Sequence, residues 1–366
     1  MTSPQWPTWL PLRKDLQTLT PYGAPQVRSI AQLNTNENPY PPSQALVDAI
    51  AERASEVAKN LNRYPDREAI NLRELLAQFI NQREATNLTA DNVWAANGSN
   101  EVIQSLFLAF GGRTALGFVP SYSMHPIIAQ STSTEWVQAD RENDFTIDVS
   151  KACKQIRSTK PAMVFVTTPN NPTGTCIPIA DINAIADAAK EIGALLIVDE
   201  AYAEFSDETS AATLINEHPH IVVVRTMSKA FAFAGARVGY LLANSVIVDA
   251  MKIVRLPYHL SAMTQAIAIV ALDHRAELLH SVDELISSRK RVAQELVQMG
   301  LTVMPSSANF LLFAVESPTK VWQSLLDQGV LIRDVGLSGY LRVTIGNEAE
   351  NLEFLSALKK TLGGQA

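Results

Sequence analysis

Short runs of apolar residues alternate along this chain with stretches of helical period, and that alternation constrains the fold more than any other feature. VWAAN precedes SNEVIQSLFLAFGG, TALGFVP precedes a loop, AMVFVTTP precedes a helical stretch near Asp181 to Glu191, and ALLIVDE and IVVVRTMS follow. Strand-length segments that are apolar on both faces leave no side for water. Helices must then cover the sheet from above and below, which predicts an α/β fold with a mainly parallel central sheet flanked by helices. A length of 366 residues, 47% of them hydrophobic, supplies the core for about two such domains and excludes a disordered chain.

The organisation follows from where the pattern changes. Residues 1–43 are rich in Pro and polar residues, show no sustained period and end in LNTNENPYPPS; they predict an arm that leans on the rest of the chain, joining the smaller domain. Residues 44–250 hold the alternating segments and predict a large domain. Past about Met251 comes one long helical region, roughly Ser261 to Gly300, then NFLLFAV, the helix PTKVWQSLLDQG, the strands VLIRD and YLRVTIG, and a last helix from about Glu348 to Leu362. Residues 251–366 therefore predict a smaller α/β domain.

Several function classes drop out. Asp plus Glu is 37 against 30 for Lys plus Arg, a net charge of -7 that argues against a broad basic surface for nucleic acid. Cys153 and Cys176 have no metal-type spacing and the six histidines include no HExxH, so no metal site is expected. So few cysteines in so long a chain predict a reduced, cytoplasmic protein. The start MTSPQWPTWL lacks the features of a signal peptide, and the longest apolar runs, such as Ala194 to Val198, are too short to span a bilayer.

In parallel α/β sheets ligands bind beyond the carboxyl ends of the strands, where loops and helix starts converge. Four such exits here carry unusual polar sets: Asn97-Gly98-Ser99-Asn100, Asn170-Asn171-Pro172-Thr173-Gly174, Asp199-Glu200-Ala201-Tyr202 and Thr226-Met227-Ser228-Lys229. Asp199 ends an aliphatic run and needs a cation to offset lost hydration. Lys229 follows VVVRTMS and precedes AFAFAGA, where desolvation lowers an amine's pKa and makes it a nucleophile for a carbonyl. Gly98, Ser99 and Asn100 open a helix whose free N–H groups favour a phosphate, with Gly98 permitting close approach. Each has a plainer reading: a turn-capping or Arg-paired Asp, a surface Lys, a simple N-cap. Neither GxGxxG nor GxxxxGK[ST] occurs, which removes the main support for a dinucleotide site or a P-loop. A carbonyl-capturing Lys, a carboxylate wanting a cation and a phosphate cradle together describe pyridoxal 5'-phosphate.

From about Tyr22 to Asn351 the motifs LNTNENPYPPS, NRYPD, NGSNEVI, TPNNPTGT, VDEAYAEF, RTMSKAFAFAGARVGY and YLRVTIG occur in the order that resembles the fold-type I pyridoxal-phosphate aminotransferases, and within them the histidinol-phosphate aminotransferases. The resemblance implies that Lys229 bonds to the cofactor aldehyde and then acts as base and acid, that Asp199 keeps the pyridine nitrogen protonated, and that Asn171 and Tyr202 hydrogen-bond the ring's 3-oxygen. Tyr122 would stack on the ring. The Ser99 and Asn100 region, Thr226, Ser228 and Arg237 would hold the phosphate. Tyr64, in NRYPD, would cross to the neighbour's cofactor phosphate, which implies a homodimer with shared sites. Arg342 and Arg333 would bind acidic groups of the substrate, a planar fork suiting carboxylate or phosphate; structural ion pairing is the alternative for both. Tyr22, Asn36, Glu37 and Tyr258 would close over the substrate's imidazole and phosphate.

The activity implied is transfer of the amino group between L-histidinol phosphate and 2-oxoglutarate. An aromatic amino-acid aminotransferase would share every cofactor residue, a phosphorylated amino-acid decarboxylase is a second rival, and a non-catalytic regulator on the same body is a third. Three positions depart from the family pattern: Pro41 and Ala232 stand where glycine is expected, and Met227 where phenylalanine or a similar residue is expected.

Overall fold

The structure is a computed structural model that describes residues 6–21 and 23–363. After an irregular arm with one short strand, β1 (Ala31–Gln32), come helices α1 (Gln44–Ala58) and α2 (Ile70–Glu84). Ser43 caps α1 by accepting a hydrogen bond from the Leu46 N–H. The alternating segments then fold as β2 (Val93–Ala96), α3 (Ser99–Phe110), β3 (Thr114–Val119), α4 (Met124–Ser131), β4 (Glu135–Asp140), α5 (Val149–Thr159), β5 (Met163–Thr167), α6 (Ile179–Glu191), β6 (Leu195–Asp199), β7 (Ile221–Thr226) and β8 (Gly239–Ala243).

These strands form one seven-stranded sheet in the order β2-β8-β7-β6-β5-β3-β4. All neighbours pair in parallel except those of β8, which runs antiparallel to both β2 and β7. Period-two alternation sends Met163, Phe165, Ile197, Val222 and Val224 into the core on one face, and Val164, Val166, Leu196, Val198 and Val223 into the core on the other. Burying each such side chain contributes about 1.5–3 kcal/mol. Edge strand β4 (EWVQAD) is the polar exception, as an unpaired edge requires.

Beyond the sheet run α7 (Ser245–Val254), α8 (Ala262–Asp273), α9 (Arg275–Gln298), β9 (Phe310–Ala314), α10 (Pro318–Asp327), β10 (Val330–Leu331), β11 (Tyr340–Thr344) and α11 (Glu348–Gly363). The single helical region expected over 261–300 is two helices meeting at His274. They break where the packing partners change: α8 packs on α1 and α2, whereas α9 packs on β9 and α11. VLIRD supplies only the two residues of β10, with Arg333 continuing as an isolated bridge to Arg342.

The arm is stitched into the smaller body. Strand β1 pairs in parallel with β10. Leu33 then donates its N–H to Leu331 O at 2.8 Å and accepts from the Thr344 N–H at 2.9 Å, filling the gap between β10 and β11. Residues 34–37 emerge from that seam directly over the carboxyl ends of the large sheet.

Candidate active site

The strand exits and the arm enclose a cavity of about 480 Å³. Its floor is built from Ser99 and Asn100 after β2, Tyr122 after β3, Asn171 after β5, Asp199 and Tyr202 at the end of β6, and Thr226, Ser228, Lys229 and Arg237 around the loop from β7 to β8. Asn36 and Glu37 of the arm, with Arg333 and Arg342 of the smaller body, form the facing wall. The sheet order brings the floor residues together at one edge, and the pairing of the arm with the smaller body brings Asn36 and Glu37 beside Arg333 and Arg342.

Gly98 stands immediately behind this lining with φ +87°, and a Cβ there would come within 2.7 Å of Arg237 Nη2. The left-handed backbone favours glycine at this position, and the missing Cβ lets the guanidinium lie against the start of α3. Arg237 is itself left-handed at φ 57°, a conformation costly for a residue with a Cβ. Ala232, where the family resemblance expects glycine, also adopts the left-handed region at φ 55°, so that expectation had a backbone reason. Met227 is fully buried in the core, and Pro41 is exposed.

The Asp199 carboxylate is buried, and its partner is His125, whose Nε2 lies 3.1 Å from Oδ2. The Ala201 N–H donates to the other carboxylate oxygen at 3.2 Å. His125 sits on α4 one turn after Tyr122, and the two rings meet edge to face at 5.4 Å. Sequence reading missed His125. Its only signal was the one-turn spacing after Tyr122 in PSYSMH.

Lys229 donates from Nζ to Thr35 O at 2.9 Å. Burial pushes its pKa down from the ordinary 10.5 to about 8, with Arg342 and Arg237 acting in the same direction and Glu37 opposing them. Thr226 Oγ1 accepts from the Ser228 N–H at 3.1 Å and donates to Ser228 Oγ at 3.0 Å, so both hydroxyls are held at the mouth of the lysine loop. Tyr122 donates its hydroxyl to Asn100 Oδ1 at 3.1 Å.

On the facing wall Arg342 donates to Asn171 Oδ1 at 2.6 Å and to Asn34 O at 2.8 Å, and its guanidinium lies 5.2 Å from the Phe310 ring centroid. Arg333 exchanges two backbone hydrogen bonds with Arg342, at 3.0 and 2.9 Å, which sets the two guanidinium groups on one wall. Asn171 Nδ2 and Asn36 Nδ2 both donate to the Tyr202 phenol oxygen, at 3.5 and 2.8 Å.

Tyr64 and Tyr258 do not line this cavity. They stack on each other at 4.4 Å with an interplanar angle of 14°, and Tyr64 is 80% exposed. Tyr22, expected at the substrate, lies outside the described residues. Among the described residues no group of three or more His, Cys, Asp or Glu could hold a metal ion.

The donor set fits pyridoxal 5'-phosphate. The cavity holds an amine of depressed pKa and a buried carboxylate, and opposite them a helix start backed by glycine and flanked by two hydroxyls and an arginine.

Comparison with known proteins agrees with this chemistry. Residues 28–358 match the family model for aminotransferase class I and II. A histidinol-phosphate aminotransferase of Mycobacterium sp. strain JLS is 55% identical over 353 residues, covering 95% of this chain and 93% of that protein. One from Nocardia farcinica is 57% identical over 351 residues, covering 94% and 90%. Among solved structures, the histidinol-phosphate aminotransferase from Clostridium acetobutylicum matches with a TM-score of 0.83 at 27% identity, over 92% of this chain and 100% of that one. The enzyme from Sinorhizobium meliloti, solved in complex with pyridoxal-5'-phosphate, shares the fold with a TM-score of 0.85 at 22% identity, over 97% and 98%. The chain belongs to the class I and II aminotransferase family, and within it to the histidinol-phosphate aminotransferases.

Proposed function

We propose that this enzyme transfers the amino group of L-histidinol phosphate to 2-oxoglutarate, giving imidazole acetol phosphate and L-glutamate, a step of L-histidine biosynthesis, with the cavity residues in the roles that follow. The observation that carries the proposal is one cavity that joins Lys229 and Asp199 on its floor to Arg333 and Arg342 on its wall. When bound there, pyridoxal 5'-phosphate supplies an aldehyde that captures amines and a ring that draws electrons from the substrate carbon.

The residues of the chain do the rest. Lys229 Nζ, its pKa lowered by burial, takes the proton from the amine-bearing carbon of the substrate and then, as the resulting acid, delivers it to complete the 1,3-proton shift, so that each half of the transfer leaves the lysine as it began. Asp199, braced by His125, holds the ring N–H. Asn171 and Tyr202 hold the ring oxygen, and Tyr122 covers the ring. The start of α3 with Gly98, Ser99 and Asn100, together with Thr226, Ser228 and Arg237, holds the phosphate of the cofactor. Arg333 and Arg342 take the acidic groups of both substrates: a forked guanidinium accepts the phosphate of one and the carboxylates of the other. Glu37 is left on the arm to face the imidazole.

We further propose a homodimer in which Tyr64 of each copy completes the other's site. The loop bearing Tyr64 and the loop bearing Tyr258 are joined by the Arg255–Glu68 ion pair at 2.6 Å and the Tyr64–Tyr258 stack. Leu61 and Leu256 on the same loops and Ile253 at the end of α7 are 58%, 77% and 83% exposed, an apolar surface that a second copy would cover. Cytoplasmic residence fits the two free cysteines, Cys153 and Cys176. The chain is divided here into an arm (1–43), a cofactor domain (44–250) and a smaller domain (251–366), with the site between them.

The test is the ratio of kcat/KM for histidinol phosphate to that for phenylalanine, each with 2-oxoglutarate as acceptor. A ratio well above one is expected, together with loss of turnover in Lys229→Ala; a preference for phenylalanine would replace the proposed substrate with an aromatic amino acid.

A further inference from the structure

We propose that Asn36 is a positioning residue that fixes the Tyr202 phenol as a donor toward the cofactor, so that the seating of the arm governs how strongly Tyr202 holds the cofactor's ring oxygen. The inference rests on the reading of Tyr202 given above. Asn36, expected at the substrate, lines the cavity and has its polar groups bonded to Thr344, Asn309 and Tyr202.

Asn36 is 1% exposed and its backbone is left-handed at φ 55°, a region that asparagine tolerates better than most residues. Three hydrogen bonds fix it to the smaller body. Its N–H donates to Thr344 Oγ1 at 3.0 Å, that hydroxyl donates to Asn36 Oδ1 at 3.0 Å, and Asn309 Nδ2 donates to Asn36 O at 3.1 Å. Orienting Oδ1 toward Thr344 turns Nδ2 the other way, where it donates to the Tyr202 oxygen at 2.8 Å. Because the phenol oxygen accepts at Asn36, its own proton is directed to a different acceptor. Density drawn from that oxygen also makes the phenol a stronger donor. The Tyr202 ring is held edge to face on Phe310 at 5.2 Å, so the hydroxyl cannot swing away without repacking. Strand β11 thereby reaches the end of β6 through one amide. Arm, smaller body and cofactor ring are linked at a single phenol.

The experiment titrates the visible absorption band of the loaded enzyme with pH, with Asn36→Gly as the main variant because glycine keeps the left-handed backbone while removing the amide. Tyr202→Phe should raise the midpoint by about one pH unit and Asn36→Gly by about half a unit, as expected for losing and for weakening one neutral hydrogen bond. Asn36→Asp should raise it more than Asn36→Gly, because a carboxylate accepts the phenol proton and turns it away from the cavity. In the Tyr202→Phe background Asn36→Gly should add nothing. If Tyr202→Phe shifts the midpoint and Asn36→Gly does not, or if Asn36→Gly shifts it equally in both backgrounds, the inference is overturned and the reading of Tyr202 stands. If Tyr202→Phe leaves the midpoint unchanged, that reading falls and the inference with it.

Discussion

A lysine amine is charged at neutral pH in water and cannot attack an aldehyde, so the environment of Lys229 decides whether this chain can hold its cofactor. Burial and two nearby guanidinium groups lower its pKa to about 8. The sign is that of a depressed cation: below about 8 the folded protein holds the ammonium, above it the neutral nucleophile. The rate at which cofactor-stripped protein recaptures pyridoxal 5'-phosphate should therefore rise with pH and level off above about 8, rather than climbing toward 10.5 as for an ordinary lysine. Arg342→Leu should move the midpoint upward, since it removes a positive neighbour; stopped-flow absorbance across pH 6 to 10 checks both. Asp199 was legible in the sequence because it is a carboxylate ending an apolar run, and Lys229 because it is an amine set between VVVRTMS and the low-charge AFAFAGA, local contradictions that a site resolves. His125 was not, because a histidine on a helix advertises nothing until the fold turns it toward a carboxylate 74 positions away.

At the scale of elements, polar residues arrive in adjacent pairs at the ends of β6 and β7, and the pleat sends the two members of each pair to opposite faces. Asp199 and Thr226 line the cavity, whereas Glu200 and Arg225 cross to the far side of the sheet and meet. There Arg225, fully buried, lies 2.7 Å from Glu200 and 2.9 Å from Glu204, and Ser210 and the Ala211 N–H complete the Glu200 carboxylate at 2.7 Å each. This cluster ties the two strand ends that carry the site. Arg225→Met would leave two carboxylates buried without their cation and should lower stability by about 3–5 kcal/mol in denaturant unfolding. A loss below about 1 kcal/mol would show that the cluster is relieved by water instead. Strands and their order class could be read from two-sided apolar runs, but not which of two neighbouring polar residues faces the ligand, since a one-residue change of register exchanges them. The break between α8 and α9 was hidden for a related reason: both halves keep helical period, and only their different packing partners separate them.

At the scale of the whole molecule, the cavity is closed on its far wall by the arm and the smaller body, while Tyr64 and Tyr258 are stacked away from it on a loop pair of their own. Tyr64, 80% exposed, stands with exposed Leu61, Ile253 and Leu256, apolar residues whose clustering, rather than any one of them, marks a surface for contact. A homodimer is implied only by the family resemblance, through Tyr64 in NRYPD. Mixing two inactive variants decides the matter. One carries Lys229→Ala with an intact Tyr64, and the other carries Tyr64→Ala with an intact Lys229. If Tyr64 serves the opposite copy, random reassociation places a native lysine opposite a native tyrosine in one of the two sites of each mixed dimer. Half of the dimers are mixed, so activity should recover to about a quarter of the unmodified enzyme. If Tyr64 serves its own chain, every site keeps one lesion and mixing restores nothing. Subunit exchange must be allowed to finish before the assay, which a mass-tagged pair can monitor, and recovery should then track the fraction of mixed dimers.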